Sequence, residues 1–328
     1  MARSKILIIK PSSLGDIVHT LPAVAAVHTA HPNSEITWLI NPEWAPLLRG
    51  NPDIDHVHIF PRGQFRGLGA PMRLLPWIRR TRQLQPDVVL DFQGLLRSAL
   101  IAKTSGAGKI LGMSDGREGS RLLYDEIAPV GRKEHAVQRY LKLAELYGAD
   151  LSQPLRFPLP TGDHLPRFHP LPGFVVLHPY ARGRKKSMAR SVVTEFCHAL
   201  APARVVVIGK SRRRLPPPEN CLELTNQTTL LQLVWLIRNA AHVISVDSGP
   251  MHIAAALTPN LVSIHTWSDP RQVGPYNAAA WIWKNGNLLR VAELTPATDL
   301  RKGRSFRRAD VKPVAELAIK ALSTHPRP

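Results

Sequence analysis

The chain has 328 residues, with 43 Lys and Arg against 24 Asp and Glu, a formal net charge of +19. At roughly 150 residues per domain, this length makes about two domains with cores of their own. An apolar content of 44% with 20% charged residues excludes a disordered polycation, and so large a basic excess asks for an anionic partner: nucleic acid, a phosphorylated metabolite or an acidic membrane surface.

In chain order, short apolar runs alternate with longer amphipathic stretches, the pattern of α/β units on a parallel sheet. Residues 5–10 (KILIIK) read as a buried strand, 17–29 as a helix holding Pro22, and 35–40 and 56–60 as strands. A basic amphipathic helix over 73–84 leads to a strand at 88–91 and a helix at 95–104. A short strand at 109–112 and a helix at 136–146 close this series. Six prolines between Pro154 and Pro172 then mark a linker. The expected domains are 1–155, a linker 156–173, and 174–328. The second series runs strand 174–178, helix 192–200, strand 204–208, helix 230–239, strand 243–246, helix 251–256, strand 261–264 and helix 311–322.

Residues 1–165 carry 20 basic and 15 acidic side chains, and 166–328 carry 23 and 9, so the charge is concentrated in the second half. Two cysteines, Cys197 and Cys221, are too few for a disulfide framework or a Cys-based zinc site. No apolar run approaches the roughly 18–20 residues a membrane span needs, and the opening run is too short for a signal peptide. A cytoplasmic protein, with any membrane contact peripheral, is the expectation.

Ligands of open α/β sheets bind beyond the carboxyl ends of strands, so four strand-to-helix loops stand out. In the first, Lys10-Pro11-Ser12-Ser13-Leu14-Gly15-Asp16, Gly15 allows a close backbone approach and Asp16 supplies a carboxylate. The plainer alternative is that Ser12, Ser13 or Asp16 caps the next helix. The loop matches neither Gly-x4-Gly-Lys-Ser/Thr nor Gly-x-Gly-x-x-Gly, the two common nucleotide loops. In the second, Asp247-Ser248-Gly249-Pro250-Met251-His252, a helix N-terminus offers a phosphate site with His252 on its first turn. Capping by Ser248 or Asp247 is again the alternative. The third, 178–190, holds Arg182, Arg184, Lys185, Lys186 and Arg190; the fourth, 91–97, holds Gln93 and Arg97. Asp53-Ile54-Asp55 sits in a turn after Asn51-Pro52, and the 14 histidines lack close metal-ligand spacing, so no metal is expected. The absence of Gly-x-Ser-x-Gly weakens a hydrolase reading.

The segments KILIIKPSSLGDIVHTLPAV, DFQGLLRSAL, HAVQRYLKLAELYG, VISVDSGPMHIAAAL and SDPRQVGPY together resemble the ADP-heptose:lipopolysaccharide heptosyltransferases, glycosyltransferase family 9, and within it the heptosyltransferase I type. That resemblance implies a GT-B fold, two Rossmann-like domains facing a cleft, with a C-terminal helix packing back toward the N-terminal domain. It implies an inverting enzyme with no cofactor, moving heptose from ADP-heptose to a Kdo hydroxyl of the lipid A-linked inner core. By the same resemblance Asp16 is the catalytic base. Lys186, Asp247, Ser248, Gly249 and His252 hold the donor, and Ser13, Gly15, Gln93, Arg97 and Arg117 serve the acceptor. The implied setting is a monomer, peripheral on the inner face of the inner membrane.

Two positions depart from the family pattern. Met188 stands where a tryptophan is expected, which leaves the choice between Lys185 and Lys186 open. Lys210-Ser211-Arg212-Arg213-Arg214 replaces an acidic residue expected to contact the nucleoside, which keeps a related donor or acceptor as an alternative. Arg62 and Arg66 also lie in family-like regions where arginine suits an anionic acceptor, but are at least as readable as surface charge. The basic segments 210–214 and 301–308 have no role in the family motifs and are assigned to anionic lipid. A nucleic-acid-binding protein is the remote rival; 6% aromatic residues and no recognisable RNA- or DNA-binding motif count against it.

Overall fold

Strand β1 (Ser4–Ile9) is the centre of the first of two sheets, and Ile6 to Ile9 are at most 1% exposed. The computed structural model describes residues 3–67, 69–166, 173–211, 218–298, 300 and 303–324. The chain divides into two units, Met1–Pro160 and Thr161–Pro328.

In the first unit β1 is followed by α1 (Leu14–Ala30), β2 (Ser34–Ile40), β3 (His56–Ile59), α2 (Ala70–Arg82), β4 (Val88–Asp91), α3 (Leu96–Thr104), β5 (Lys109–Met113), β6 (Glu126–Ala128) and α4 (Ala136–Leu146). The sheet order is β3-β2-β1-β4-β5-β6, every neighbour parallel. Helices cover both faces of such a sheet, so its central strands are apolar without alternation. The order in which strands are added reverses between β1 and β4, where Ile9 stands opposite Asp91.

The second unit repeats the scheme. It comprises β7 (Val175–His178), α5 (Arg190–Leu200), β8 (Val205–Val207), β9 (Cys221–Glu223), α6 (Leu230–Asn239), β10 (His242–Val246), α7 (Gly249–Leu257), β11 (Leu261–His265), the single turn α8 (Pro270–Val273), β12 (Trp281–Lys284), β13 (Asn287–Arg290) and α9 (Val311–Thr324). Its order is β13-β12-β11-β10-β7-β8-β9, parallel except for β12 with β13. Leaving out β13, this is the first sheet's order again, with the switch point between β7 and β10. Both sheets have the doubly wound Rossmann arrangement.

The amphipathic periods place the helices to within three residues at either end, apart from the single turn α8, which is too short to show a period. Three-residue strands β6 and β9 are too short to show a period. The β12–β13 hairpin was legible but missed: Asn285 and Gly286 turn with φ of 53° and 95°, and Asn-Gly is the strongest short-range hairpin signal. Helix α9 buries Val311, Val314, Ala315 and Ala318. It packs against α5 and β10 of its own unit. Of the linker, 167–172 lie outside the described residues, as do 212–214, 301 and 302 of the two basic segments.

Candidate active site

The four loops singled out in the sequence flank the two switch points: those after β1 and β4 in the first sheet, those after β7 and β10 in the second. Adjacent strands lead their crossovers to opposite faces there, and the loops part to leave a crevice.

In the first unit, Ser13 is the N-cap of α1 and Asp16 its third residue. Asp16 Oδ2 accepts from the Ser13 N–H at 3.0 Å and from the Ser13 hydroxyl at 2.6 Å. Asp16 therefore does cap the helix, and Ser13 and Gly15 belong to the same turn. Its other oxygen, Oδ1, accepts a longer bond, 3.3 Å, from the Tyr140 hydroxyl on α4. Behind Tyr140 lies Lys10, 3% exposed, donating to that hydroxyl at 2.8 Å and to the Phe92 carbonyl at 2.7 Å. Burial lowers the Lys10 pKa, while Asp16 and Asp91 pull it back up. Burial, helped by Asp16, pushes the Tyr140 phenol well above its usual value, so it stays a donor. Neither Lys10 nor Tyr140 was singled out from sequence; both lie inside the family-like segments.

The loop after β4 is shaped by buried Asp91. Its Oδ1 accepts from the N–H of Gln93 at 2.9 Å and of Gly94 at 3.2 Å; its Oδ2 accepts from the hydroxyls of Ser98 at 2.7 Å and Tyr124 at 2.8 Å. Burial raises the Asp91 pKa against these four bonds. Gly94 takes φ +66°, and its carbonyl accepts the Arg117 N–H at 2.9 Å. That bond brings Arg117 beside the loop of Gln93 and Arg97. Gln93 Oε1 is buried without a hydrogen-bond partner among the described residues. Burial and then Arg62 depress the Arg97 guanidinium, with Glu118 opposing, so Arg62 and Arg97 crowd the same region. Crowded guanidiniums with a buried amide acceptor suit a carboxylate or phosphate bearing hydroxyl groups.

In the second unit, Lys186 Nζ donates to Asp247 Oδ2 at 2.6 Å, and the Ser268 hydroxyl donates to the same oxygen at 2.6 Å. Lys185 instead lies over the Trp267 ring, 5.8 Å from its centroid. Of the two lysines, Lys186 is the one aimed at the Asp247 loop. Met188, at the expected tryptophan, is buried in the core with Phe196 and Val192. Burial works against the Asp247 carboxylate, yet His265, Lys186 and Ser268 hold its pKa below the ordinary value. Ser248 is the N-cap of α7, and Gly249 and Pro250 open it. The positive end of that helix favours an anion. His252, 8% exposed, lies on its first turn and acts electrostatically on His265.

Three further residues complete this cluster. His178 Nδ1 lies 3.1 Å from the Ser248 hydroxyl and 3.2 Å from that of Ser245; burial lowers its pKa to about 4, so the ring is neutral. His265, likewise brought to about 4 by burial, meets the Ser268 hydroxyl at 3.1 Å. Lys284, 1% exposed, donates to the carbonyls of Thr266 at 3.2 Å and Ser268 at 3.0 Å, fixing the loop that carries Ser268. Ser268 opens the family-like SDPRQVGPY segment. Lys284, at the end of the apolar run WIWK, carried no signal.

The discounted carboxylates have structural work: Asp53 pairs with Arg156 at 3.0 Å and His28 at 3.3 Å, and Asp55 accepts the Ile36 N–H at 2.8 Å. Among the described residues no group of three or more His, Cys, Asp or Glu is placed to hold a metal ion. No described helix is long and apolar enough to cross a membrane. In the 301–308 segment, Arg304 binds Asp310 through two bonds of 2.7 and 2.6 Å, and Arg308 reaches Glu195 at 2.6 Å. Those two arginines hold their own unit together, which reduces the charge this segment can offer to lipid.

Two doubly wound units, each with charged loops at its switch point, are the two halves of a GT-B fold. The model of glycosyltransferase family 9 (heptosyltransferase) matches residues 75–299, and the chain belongs to that family. The lipopolysaccharide heptosyltransferase 1 of Pseudomonas aeruginosa is 27% identical over 297 residues, 83% of this chain and 81% of its own. The Escherichia coli enzyme of the same name is 25% identical over 295 residues, 83% and 91% of the two chains. Among solved structures, E. coli heptosyltransferase WaaC with ADP superposes with a TM-score of 0.72 at 21% identity, covering 85% of this chain and 92% of its own. E. coli ADP-heptose lps heptosyltransferase II gives 0.76 at 21% identity, covering 97% and 98%.

Proposed function

We propose that this family 9 enzyme moves heptose from ADP-heptose to a Kdo hydroxyl of the lipopolysaccharide inner core, with inversion and without a metal. The names of its relatives support the reaction class, and one observation carries the donor side: Lys186 and Asp247 meet at 2.6 Å beside the N-terminus of α7. There the ammonium, the helix end, Ser248, Gly249 and His252 receive the diphosphate and stabilise charge that develops on the departing ADP. Asp16 takes the proton from the acceptor hydroxyl as that oxygen attacks the anomeric carbon on the face opposite ADP. A positioned base of this kind contributes roughly 10²–10⁴-fold. Ser13 and Gly15 shape its turn, and Gln93, Arg97 and Arg117 hold the anionic acceptor. The working state in this reading is a monomer at the cytoplasmic face of the inner membrane.

Turnover of ADP-heptose with a Kdo-bearing acceptor tests the reading, comparing wild type with Asp16→Ala. The expected result is near-complete loss of turnover with ADP-heptose affinity retained; wild-type rates in the variant would remove Asp16 as base. Because Lys210 follows β8 where an acidic nucleoside contact is the family pattern, UDP sugars belong in the same experiment. Protection by UDP sugars alone would overturn the donor.

A further inference from the structure

Between residues 61 and 86 the chain has six arginines and no acidic residue. Helix α2 occupies the middle of this stretch. Its inward side buries Trp77 and Thr81, with Leu74 and Ile78 beside them. The remaining positions face out and include Met72, 81% exposed, and Leu75, 56% exposed. At helical spacing, Met72, Leu75, Arg79 and Arg82 form one stripe, with exposed Arg73 and Arg80 alongside. By sequence alone this stretch reads as a basic amphipathic helix. The structure shows apolar side chains on both sides. Helix α3, packed against α2, leaves Leu96 and Leu100 exposed as well.

We propose that the outward face of α2, joined by the exposed leucines of α3, docks this enzyme on an anionic phospholipid bilayer. Large apolar side chains set among arginines, with no carboxylate on the helix, match an interfacial helix. The apolar groups enter the headgroup boundary while guanidiniums meet lipid phosphates. Arginine stems also lie along apolar surface while their heads reach phosphate, so one stripe serves both contacts. The inference rests on the proposed lipid-linked acceptor only for its purpose: Arg97, an acceptor candidate, stands between Leu96 and Leu100 on the same helix. It moves the membrane contact away from 301–308, where Arg304 and Arg308 are already paired.

The test is co-sedimentation of the full-length protein with phosphatidylcholine vesicles, with and without phosphatidylglycerol, in the absence of any acceptor. Wild type is expected to bind the anionic vesicles about tenfold or more tightly than the neutral ones, and less as salt rises. Arg79→Gln with Arg82→Gln should weaken that binding by about fivefold per arginine. Adding Met72→Ser and Leu75→Ser should abolish it. Lys210→Gln with Arg307→Gln should leave it unchanged. Wild-type binding by the α2 variants, or equal binding to neutral and anionic vesicles, would overturn the proposal. So would self-association without vesicle binding, which would assign the face to a second copy of the chain. Transfer to a soluble, deacylated acceptor separates the two ideas: it should survive in the α2 variants, and its absence in wild type would sink the acceptor reading while leaving vesicle binding intact.

Discussion

The ammonium of Lys10 lies 2.8 Å from the hydroxyl of Tyr140, which in turn donates to Asp16 at 3.3 Å. A buried cation thus stands behind the proposed base, one hydroxyl removed, and the Tyr140 proton is committed toward the carboxylate. Lys10 directly follows β1, Tyr140 is on α4 and Asp16 on α1, so three elements fix one carboxylate orientation. The Ser13 bonds hold its other oxygen.

Tyr140→Phe removes the donor to Asp16 and one partner of Lys10. Turnover should fall roughly tenfold, with ADP-heptose affinity unchanged and stability lowered by about 1 kcal/mol. Lys10→Met should cost more, on the order of 3–5 kcal/mol, because Asp16 and buried Asp91, the two carboxylates that most favour the Lys10 cation, lose it. Steady-state kinetics with denaturant titration checks both; full activity in Tyr140→Phe would dismiss the hydroxyl as a positioning group.

The two adjacent lysines should separate cleanly. Lys186→Ala removes a charge-assisted contact and should raise the donor KM roughly tenfold to a hundredfold. Lys185→Ala loses only an exposed contact with Trp267 and should stay within about twofold. Donor titrations of both variants decide it, and equal effects would contradict the assignment.

The second unit should be acid-sensitive. Burial brings His178, His242 and His265 from 6.5 to about 4. Each is neutral in the folded protein and takes up a proton more readily once unfolded. Their contribution is complete above about pH 6.5 and is lost progressively as pH falls toward 4. Thermal melts should show the midpoint dropping by roughly 5–10 °C between about pH 7 and pH 5. His242 has both ring nitrogens buried without hydrogen-bond partners among the described residues, so His242→Leu should flatten part of that slope. A midpoint constant over this range would contradict neutral burial of these rings.

Gly162 has φ +87°, and a Cβ there would lie 2.5 Å from the Trp235 nitrogen and 2.6 Å from the Leu231 oxygen. Both atoms are backbone of α6, which cannot give way as a side chain would. Gly162→Ala should therefore destabilise the protein by about 2–4 kcal/mol, read by urea unfolding. A loss below about 0.5 kcal/mol would show that this segment is free to move away from α6.

Much of the fold was legible because its signals are local. The runs ILII (6–9) and VISV (243–246) are buried on both sheet faces and read as unbroken strands, and α4 and α6 show their helical period plainly. The hairpin at Asn285-Gly286 was equally legible by its turn residues. Strands β6 and β9 were not, since three residues in an edge strand take their structure from a neighbour. The outward face of α2 was half legible: the arginines were visible, but that Met72 and Leu75 point away from the core depends on where Trp77 is buried.

By itself the sequence determined the α/β class, the loops that bear charge, and the excess of cations, because strand burial, turn chemistry and net charge are properties of short stretches. Tertiary structure decided which of those residues act together. Strand order placed the loops after β1 and β4, and after β7 and β10, at two switch points. It set Lys10 and Tyr140, 130 positions apart, behind Asp16, paired Lys186 with Asp247, and held Arg304 and Arg308 in ion pairs within their own unit. Such choices rest on contacts between elements far apart in sequence, and a distance of 2.6 or 2.8 Å exists only once the sheets have formed.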